Sequence, residues 1–205
     1  MANAPTLAIP LSLLLGAACG SVPFGYLAGR VRGLDIRTRG SGNIGFTNVQ
    51  RTIGWAWAVP VLLLDVAKGL VPTAFAHSLG LVPALVGLGA ILGHVFCPWL
   101  EFKGGKGVAT TIGVTAFLCS RSLFAGLGIY AVVLAATGFI SLSSLAFAVA
   151  LPTLTAFIYR HSAALFAFTL GVTLVIIIRH WSNIRRLAAG TEPHLSLWLR
   201  LFRKA

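Results

Sequence analysis

A chain of 205 residues that is 57% hydrophobic and only 10% charged cannot cover a water-facing surface, where about a quarter of residues are normally charged. With a mean hydropathy of +0.90 it reads as an integral membrane protein, one polytopic domain over residues 1–205 with no separate soluble domain. The net charge of +12 would suggest nucleic acid in a soluble protein. Here no exposed basic run with interleaved aromatics exists, so nucleic acid is not an expected partner and the Lys and Arg bias reads as an orientation signal.

The first apolar run covers residues 7–29. No Lys or Arg precedes it, and Gly16 stands where a lipoprotein leader wants Leu, so a retained span is expected rather than a leader. Cys19, Cys97 and Cys119 all fall in apolar runs without metal-ligand spacing and read as small packing residues. A first polar island follows, Gly40-Ser41-Gly42-Asn43-Ile44-Gly45-Phe46-Thr47-Asn48, flanked by Arg39 and Arg51. Glycines allow positive φ, so successive N–H groups can line one concavity and bind an anion. Arg51 directly precedes the second run, 53–76, whose helix is expected to aim its N-terminal donors at the same place.

Inside that second run Asp65 and Lys68 stand one turn apart. Intramembrane charges cost about 2.5–3.5 kcal/mol each on insertion scales, so the two read either as a structural ion pair or as contributors to a site. The third run, 82–100, contains His94, read as a buried hydrogen-bonding residue. The second island, Lys103-Gly104-Gly105-Lys106-Gly107, opens into Val108-Ala109-Thr110-Thr111. It is not a Walker A loop, because Gly107 rather than Ser or Thr follows Lys106. A glycine-rich turn with two ammonium groups at a helix start still suits phosphate.

The fourth run, 108–119, is short at about 18 Å for a rise of about 1.5 Å per residue. It is expected to extend back through the glycines or to pair with the next run as a hairpin. Runs at 123–140, 142–159 and 163–178 complete the chain, with Ser141, Ser143 and Ser144 opening the sixth as candidates to line a site. The third island, directly after Arg179, is His180-Trp181-Ser182-Asn183. If the last helix continues, His180 and Asn183 share one face, a turn apart, and His180 is a candidate for catalysis or binding. Seven crossings place thirteen of the sixteen Lys and Arg on one side. The fold expected is an all-α bundle of about seven transmembrane helices, N-terminus outside and C-terminus cytoplasmic, with all three islands at the cytoplasmic face.

Asp35, Asp65, Glu101 and Glu192 are the only acidic residues. They form no carboxylate cluster, so no metal is expected, nor a magnesium-nucleotide site. No His is followed by Asp after four intervening residues, and no Asp-rich signature of membrane alcohol phosphotransferases is present. What remains is phosphate recognition by cations, hydroxyls and backbone amides, suited to a substrate that already carries a good leaving group.

Gly40–Asn48 with Arg51, Asp65-Val66-Ala67-Lys68-Gly69, Gly93-His94 with Phe102–Thr110, and Arg179–Glu192 together closely resemble the bacterial acyl-phosphate:glycerol-3-phosphate acyltransferases, in order and spacing from about Gly20 to Glu192. The resemblance implies a seven-span enzyme of the bacterial cytoplasmic membrane, its site facing the cytoplasm. Its implied activity, early in phospholipid synthesis, is acylation of the 1-position of glycerol 3-phosphate by an acyl-phosphate donor, giving lysophosphatidic acid and phosphate. It implies an essential serine and arginine at Ser41 and Arg51, an acceptor-binding motif at Lys103–Gly107, and functional third-motif positions at Asn183, Gly190 and Glu192. Phe46 and Trp181 depart from the family pattern and put local loop packing in question.

The expected mechanism is direct transfer without an acyl-enzyme and without a cofactor. The donor's acyl chain enters from membrane lipid while its phosphate meets Ser41, Gly42 and Arg51, with Asn43, Thr47 and Asn48 nearby. Lys106 holds glycerol 3-phosphate together with Lys103 and the Gly104, Gly105 and Gly107 amides. His180, oriented by Asn183, or a substrate phosphate oxygen takes the hydroxyl proton. Asp65, Lys68, Gly190 and Glu192 are expected to support these groups. The alternative is a transporter of an organophosphate or other anion, to which the Asp65/Lys68 pair would suit; no internal repeat supports it.

Overall fold

The computed structural model describes residues 4–195, and every regular element among them is helical. The chain divides between Leu118 and Cys119 into two compact units.

In the first unit α1 (Ala4–Gly20) stops at Ser21 and α2 (Phe24–Val31) begins after Pro23. Proline has no N–H to donate and forces the preceding residue out of the helical region, which breaks the rod there. Even so, Leu7–Val31 is long and apolar enough to cross a membrane. The polar stretch that follows contains a separate short helix, α3 (Phe46–Ile53), before α4 (Trp55–Phe75). Gly54, at φ 90°, separates them, so the second span starts at Trp55 and Arg51 lies in the last turn of α3 rather than before α4. The helix N-terminus beside the first island is therefore that of α3. α5 (Pro83–Val95) and α6 (Val108–Leu118) complete the unit.

Helices in lipid gain nothing from hiding apolar surface from one another, so close approach through small residues must hold them. Gly16 and Gly20 of α1 face Gly89 and Gly93 of α5, each pair in GxxxG spacing. A Cβ at Gly20 would lie 2.0 Å from the Ala90 carbonyl oxygen, and one at Gly93 would lie 2.2 Å from that of Ala17. Gly69 and Gly113 do the same between α4 and α6, a Cβ at Gly113 falling 2.0 Å from the Val66 carbonyl oxygen. Ser12 of α1 accepts the Val82 N–H at 3.0 Å, satisfying one donor where α5 begins.

The second unit contains α7 (Ser120–Thr137), α8 (Ile140–Ile158), α9 (Ala163–Arg179) and α10 (Trp181–Ala188). The last two meet at a 59° bend, so the helix expected to run on past Arg179 turns at His180 instead. Thr173 of α9 donates to the Ala148 carbonyl of α8 at 2.6 Å.

Among the described residues five helical segments are long and apolar enough to span a membrane, six if α9 and α10 form one bent span. α6 has 11 residues, about 16 Å of helix, and does not extend back through the glycines because Gly107 sits at φ 85°. Leu14, Leu63, Phe124, Phe157 and Ile178 point outwards, whereas Ser12, Thr73, Thr115, Thr155 and Thr169 are buried. A water-soluble fold would show the reverse.

Gly93→Val should lower the thermal unfolding midpoint in detergent micelles, because overpacking at a backbone contact costs about 1–3 kcal/mol or more. Gly171→Ala, whose Cβ would meet nothing within 4 Å, should leave the midpoint unchanged.

Candidate active site

The first island is built on a single 3-10 turn, Ile36–Thr38, capped by Asp35. The Asp35 carboxylate accepts the Arg37 backbone N–H at 2.9 Å and its guanidinium at 2.7–3.1 Å. These bonds, the side-chain one foremost, hold its carboxyl at about 2, below the ordinary 3.8. The chain then turns through Gly40 and Gly42, at φ 57° and 70°, a region closed to most side chains.

Asn48 reaches back from α3 and holds this loop in place. Its Oδ1 accepts the Ser41 N–H at 2.8 Å, and its Nδ2 donates to the Ile36 and Arg39 carbonyls at 3.1 and 3.0 Å. A Cβ on Gly40 would lie 2.2 Å from Asn48 Oδ1, so the glycine is required for space as well as for φ. Asn43 accepts the Gly45 N–H at 2.9 Å at the start of α3. Ser41 and Arg51 are exposed, and Thr47 is half-buried.

The second island lies at the same end of the first unit. Ile36, Ile44 and Val49 of the first loop share a core with Cys97 and Leu100, which lead into Lys103. Glu101 lies close enough to Arg37 for their charges to interact, and the Lys103 hydrogen bond does most to lower its carboxyl below the ordinary range. Lys103 and Glu101 form an exposed ion pair at 3.1 Å, a kind worth little in water. Gly104 and Gly105 are buried against the end of α5. Their N–H groups donate to the Val95 and His94 carbonyls at 3.1 and 3.0 Å. A Cβ on Gly104 would fall 2.0 Å from the His94 oxygen, and one on Gly105 would fall 2.0 Å from the His94 ring. These two amides thus fasten the loop to α5. Lys106 follows, half-buried.

The third island lies in the second unit. His180 is buried, with Nδ1 2.8 Å from the Ile176 carbonyl oxygen. A carbonyl can only accept, so Nδ1 carries the proton. After α10 the chain closes in a Schellman turn: Thr191 N–H donates to Arg186 at 2.8 Å and Gly190 N–H to Leu187 at 3.1 Å, with Gly190 at φ 67° as such a cap requires. The turn returns Glu192 to its own helix, where it accepts from Asn183 Nδ2 and Arg186 Nε, each at 2.7 Å. Burial pushes the Glu192 carboxyl up, but the nearby Ser141 hydroxyl and the hydrogen bonds from Asn183 and Arg186 together hold it below the ordinary range. The chain then passes along the α7–α8 turn, where Leu195 N–H donates to the Gly138 carbonyl at 2.8 Å.

The sequence model described as glycerol-3-phosphate acyltransferase matches residues 10–190. This chain belongs to the glycerol-3-phosphate acyltransferase family. It is 46% identical to the glycerol-3-phosphate acyltransferase of Geobacter sulfurreducens, over 84% of this chain and 90% of that one. The relative of the same name in Methylorubrum populi is 48% identical, over 92% of this chain and 93% of its own. Among solved structures it resembles PlsY (YgiH), an integral membrane glycerol 3-phosphate acyltransferase in its glycerol 3-phosphate form. There the TM-score is 0.87 at 31% identity, covering 95% of this chain and 98% of that one. The same enzyme's lysophosphatidic acid form matches with a TM-score of 0.84.

Within the acyltransferase fold the sequence-predicted residues separate by what they touch. Ser41, Arg51 and Lys103 reach the surface, while Asn48, Gly104 and Gly105 are committed to the loops themselves. Asp65 and Lys68 form a buried ion pair at 2.7 Å. Ser143 donates to its own helix at the Phe139 carbonyl, 2.8 Å away. Ser141 lies beside Glu192. Phe46 packs edge-on against Trp55, ring centroids 5.8 Å apart, and Trp181 is exposed with Arg185 over its ring at 5.8 Å. Both unusual residues therefore have packing partners. Sequence reading missed the Asp35–Arg37 cap, the Schellman turn and the contact of His94 with Gly105. The glycine at 190, a C-cap residue after an Arg-rich helical turn, signals the second of these.

Asn48→Ala should strip three bonds from the first loop and lower stability by about 1–3 kcal/mol for each group left buried and unpaired, read as a fall in unfolding midpoint. Glu192→Ala should cost about 1.5–3 kcal/mol per lost charged hydrogen bond, as upper values for a partly screened pair. Because the folded carboxyl is depressed below 4.5, its contribution is present above that pH and lost as pH falls through the folded value. Glu192→Gln should flatten this acid limb in a series of midpoints against pH.

Proposed function

We propose that this chain transfers a fatty acyl group from an acyl phosphate to the 1-hydroxyl of glycerol 3-phosphate, releasing lysophosphatidic acid and inorganic phosphate. One observation carries the residue assignment. Two glycine-rich, cationic loops lie at one end of the first unit, one fastened by the buried Asn48 side chain and the other by backbone bonds to the His94 and Val95 carbonyls. The shared name of the relatives and the glycerol 3-phosphate form of PlsY support the acceptor. An acyl phosphate suits a protein with few proton-transfer groups, since phosphate leaves without prior activation.

In this reading Ser41, Gly42 and Arg51 receive the donor's phosphate, with Asn43 and Thr47 beside them. Lys106 holds the acceptor's phosphate, with Lys103 and Gly107. Gly104 and Gly105 shape that loop rather than donate to substrate, because their amides already serve α5. The acceptor oxygen attacks the acyl carbonyl, the bond between the acyl carbon and the bridging oxygen breaks, and phosphate departs with that oxygen and the electron pair. The hydroxyl proton goes to His180 or to a phosphate oxygen. With Nδ1 donating to Ile176, the lone pair of a neutral His180 ring sits on Nε2, as a general base requires. Fixed cations and hydroxyls aimed at developing charge supply the main stabilisation.

The five long spans, the bent α9–α10 pair and the short α6 make seven crossings in this proposal. The basic bias then sets the N-terminus outside and the islands at the cytoplasmic side of a bacterial cytoplasmic membrane.

Purified full-length protein in lipid should form lysophosphatidic acid from acyl phosphate and glycerol 3-phosphate, and none from acyl-CoA or acyl-carrier protein. Ser41→Ala, Arg51→Ala and Lys106→Ala should each lose activity by about 10²–10³-fold with the unfolding midpoint retained. Product from a thioester alone defeats the donor assignment. Counterflow of glycerol 3-phosphate in sealed vesicles without product replaces the enzyme by a carrier, and labelled acyl trapped on Ser41 during turnover replaces direct transfer by an acyl-enzyme.

A further inference from the structure

The first unit holds a buried polar cluster that the reaction leaves unused. Asp65 and Lys68 on α4 and His94 at the end of α5 are only 2%, 7% and 3% exposed. Lys68 Nζ lies 2.7 Å from Asp65 Oδ1 and donates at 2.7 Å to the Val22 carbonyl. His94 Nδ1 faces the same Asp65 oxygen at 3.7 Å. The far edge of the imidazole, at Nε2, meets the second island: a Cβ on Gly105 would lie 2.0 Å from that nitrogen. The His94 and Val95 carbonyls hold the Gly105 and Gly104 amides.

Asp65 and Lys68 satisfy one another, with the Val22 carbonyl taking a further ammonium proton, and a buried pair is often replaceable by apolar residues without loss. Asp65 and Lys68 alone therefore do not account for an imidazole at this point. The imidazole stands between a carboxylate 3.7 Å away, beyond direct hydrogen-bond reach, and a glycine backbone for which its far edge is a wall. Glycine at 105 is what lets the loop lie directly on that wall, one residue before Lys106.

We infer that His94 is a positioning residue for the acceptor: buried beside Asp65, its ring sets the path of Gly105 and so aims the Lys106 ammonium at the phosphate of glycerol 3-phosphate. This rests on the reading above that Lys106 binds the acceptor. His94 acts through Lys106 and touches no substrate.

The test is steady-state kinetics of the full-length protein in lipid, with KM measured separately for acyl phosphate and glycerol 3-phosphate in His94→Ala, His94→Gln, Lys106→Ala and the His94→Ala/Lys106→Ala double variant. His94→Ala should raise KM for glycerol 3-phosphate on the order of tenfold while leaving that for acyl phosphate within about twofold. His94→Gln, which keeps a polar side chain of similar reach, should recover most of the loss and serves alone if the alanine variant does not fold. The double variant should match Lys106→Ala, since a residue that works through Lys106 has nothing left to position. A raised KM in Lys106→Ala with an independent, multiplying effect of His94→Ala overturns the inference alone. Equal rises in both KM values on replacing His94 also overturn it. An unchanged KM in Lys106→Ala overturns the acceptor-loop reading and the inference with it.

Discussion

Lys68 sits where a bilayer leaves a charge no water, and the way it is satisfied sets the shape of the first unit. Its ammonium takes the Asp65 carboxylate one turn away and the Val22 carbonyl at the α1–α2 break, and lies over the Phe24 ring at 5.5 Å. A proline-induced break frees carbonyls that lipid cannot hydrate, so they must find protein donors. Cys97 supplies a second, its thiol donating to the Ser21 carbonyl at 3.1 Å, and Trp99 Nε1 donates to the Ser21 hydroxyl at 3.0 Å. The break is thereby closed by α4 and by the segment leading into the second island. α2 departs from this point and delivers the first island, so both loops are referenced to one buried polar junction.

Glycine serves two unlike purposes here. In α1, α4, α5 and α6 it removes side chains so that backbones meet, the means of helix association when no solvent drives it. At 40, 42 and 107 it supplies a positive φ, and at 104 and 105 it gives way to α5. Replacing any of the interfacial glycines shifts the helices that carry the loops, so packing far from the islands and the geometry within them are one problem.

The apolar helices were legible to within a few residues, because a run of apolar side chains reports directly on lipid exposure, but five or six of the seven expected spans have the length and apolarity to cross. The ion pair of Asp65 and Lys68 was legible as one of two possibilities, since a charge in that setting demands a partner. The helix α3 was not, being eight residues inside a polar stretch, with Gly54 isolating it from α4. Neither was the bend at His180, since no proline or glycine marks it. The largest gap concerns Asn48, Gly104 and Gly105, which composition groups with phosphate-binding residues. Their commitments are hydrogen bonds to the Ile36 and Arg39 carbonyls and to α5, and a polar residue's choice between substrate and backbone is made by tertiary placement.

That choice bears on how such a loop can work. A cationic loop free to collapse would fold its arginines and lysines onto its own carbonyls, and each approach of a phosphate would have to undo that arrangement. Here the carbonyls of Ile36, Arg39, His94 and Val95 are already occupied by Asn48 and by glycine amides. The backbone's acceptors are satisfied from within, and the exposed groups, Ser41 and Arg51, stand on segments that do not have to rearrange. In the proposed reading, acceptors satisfied in advance keep the loops that carry the cations in one shape, and fixed donors lower a barrier because no reorganisation accompanies the charge that develops. In that reading the buried amides serve anion recognition as much as the cations do, although they touch no anion.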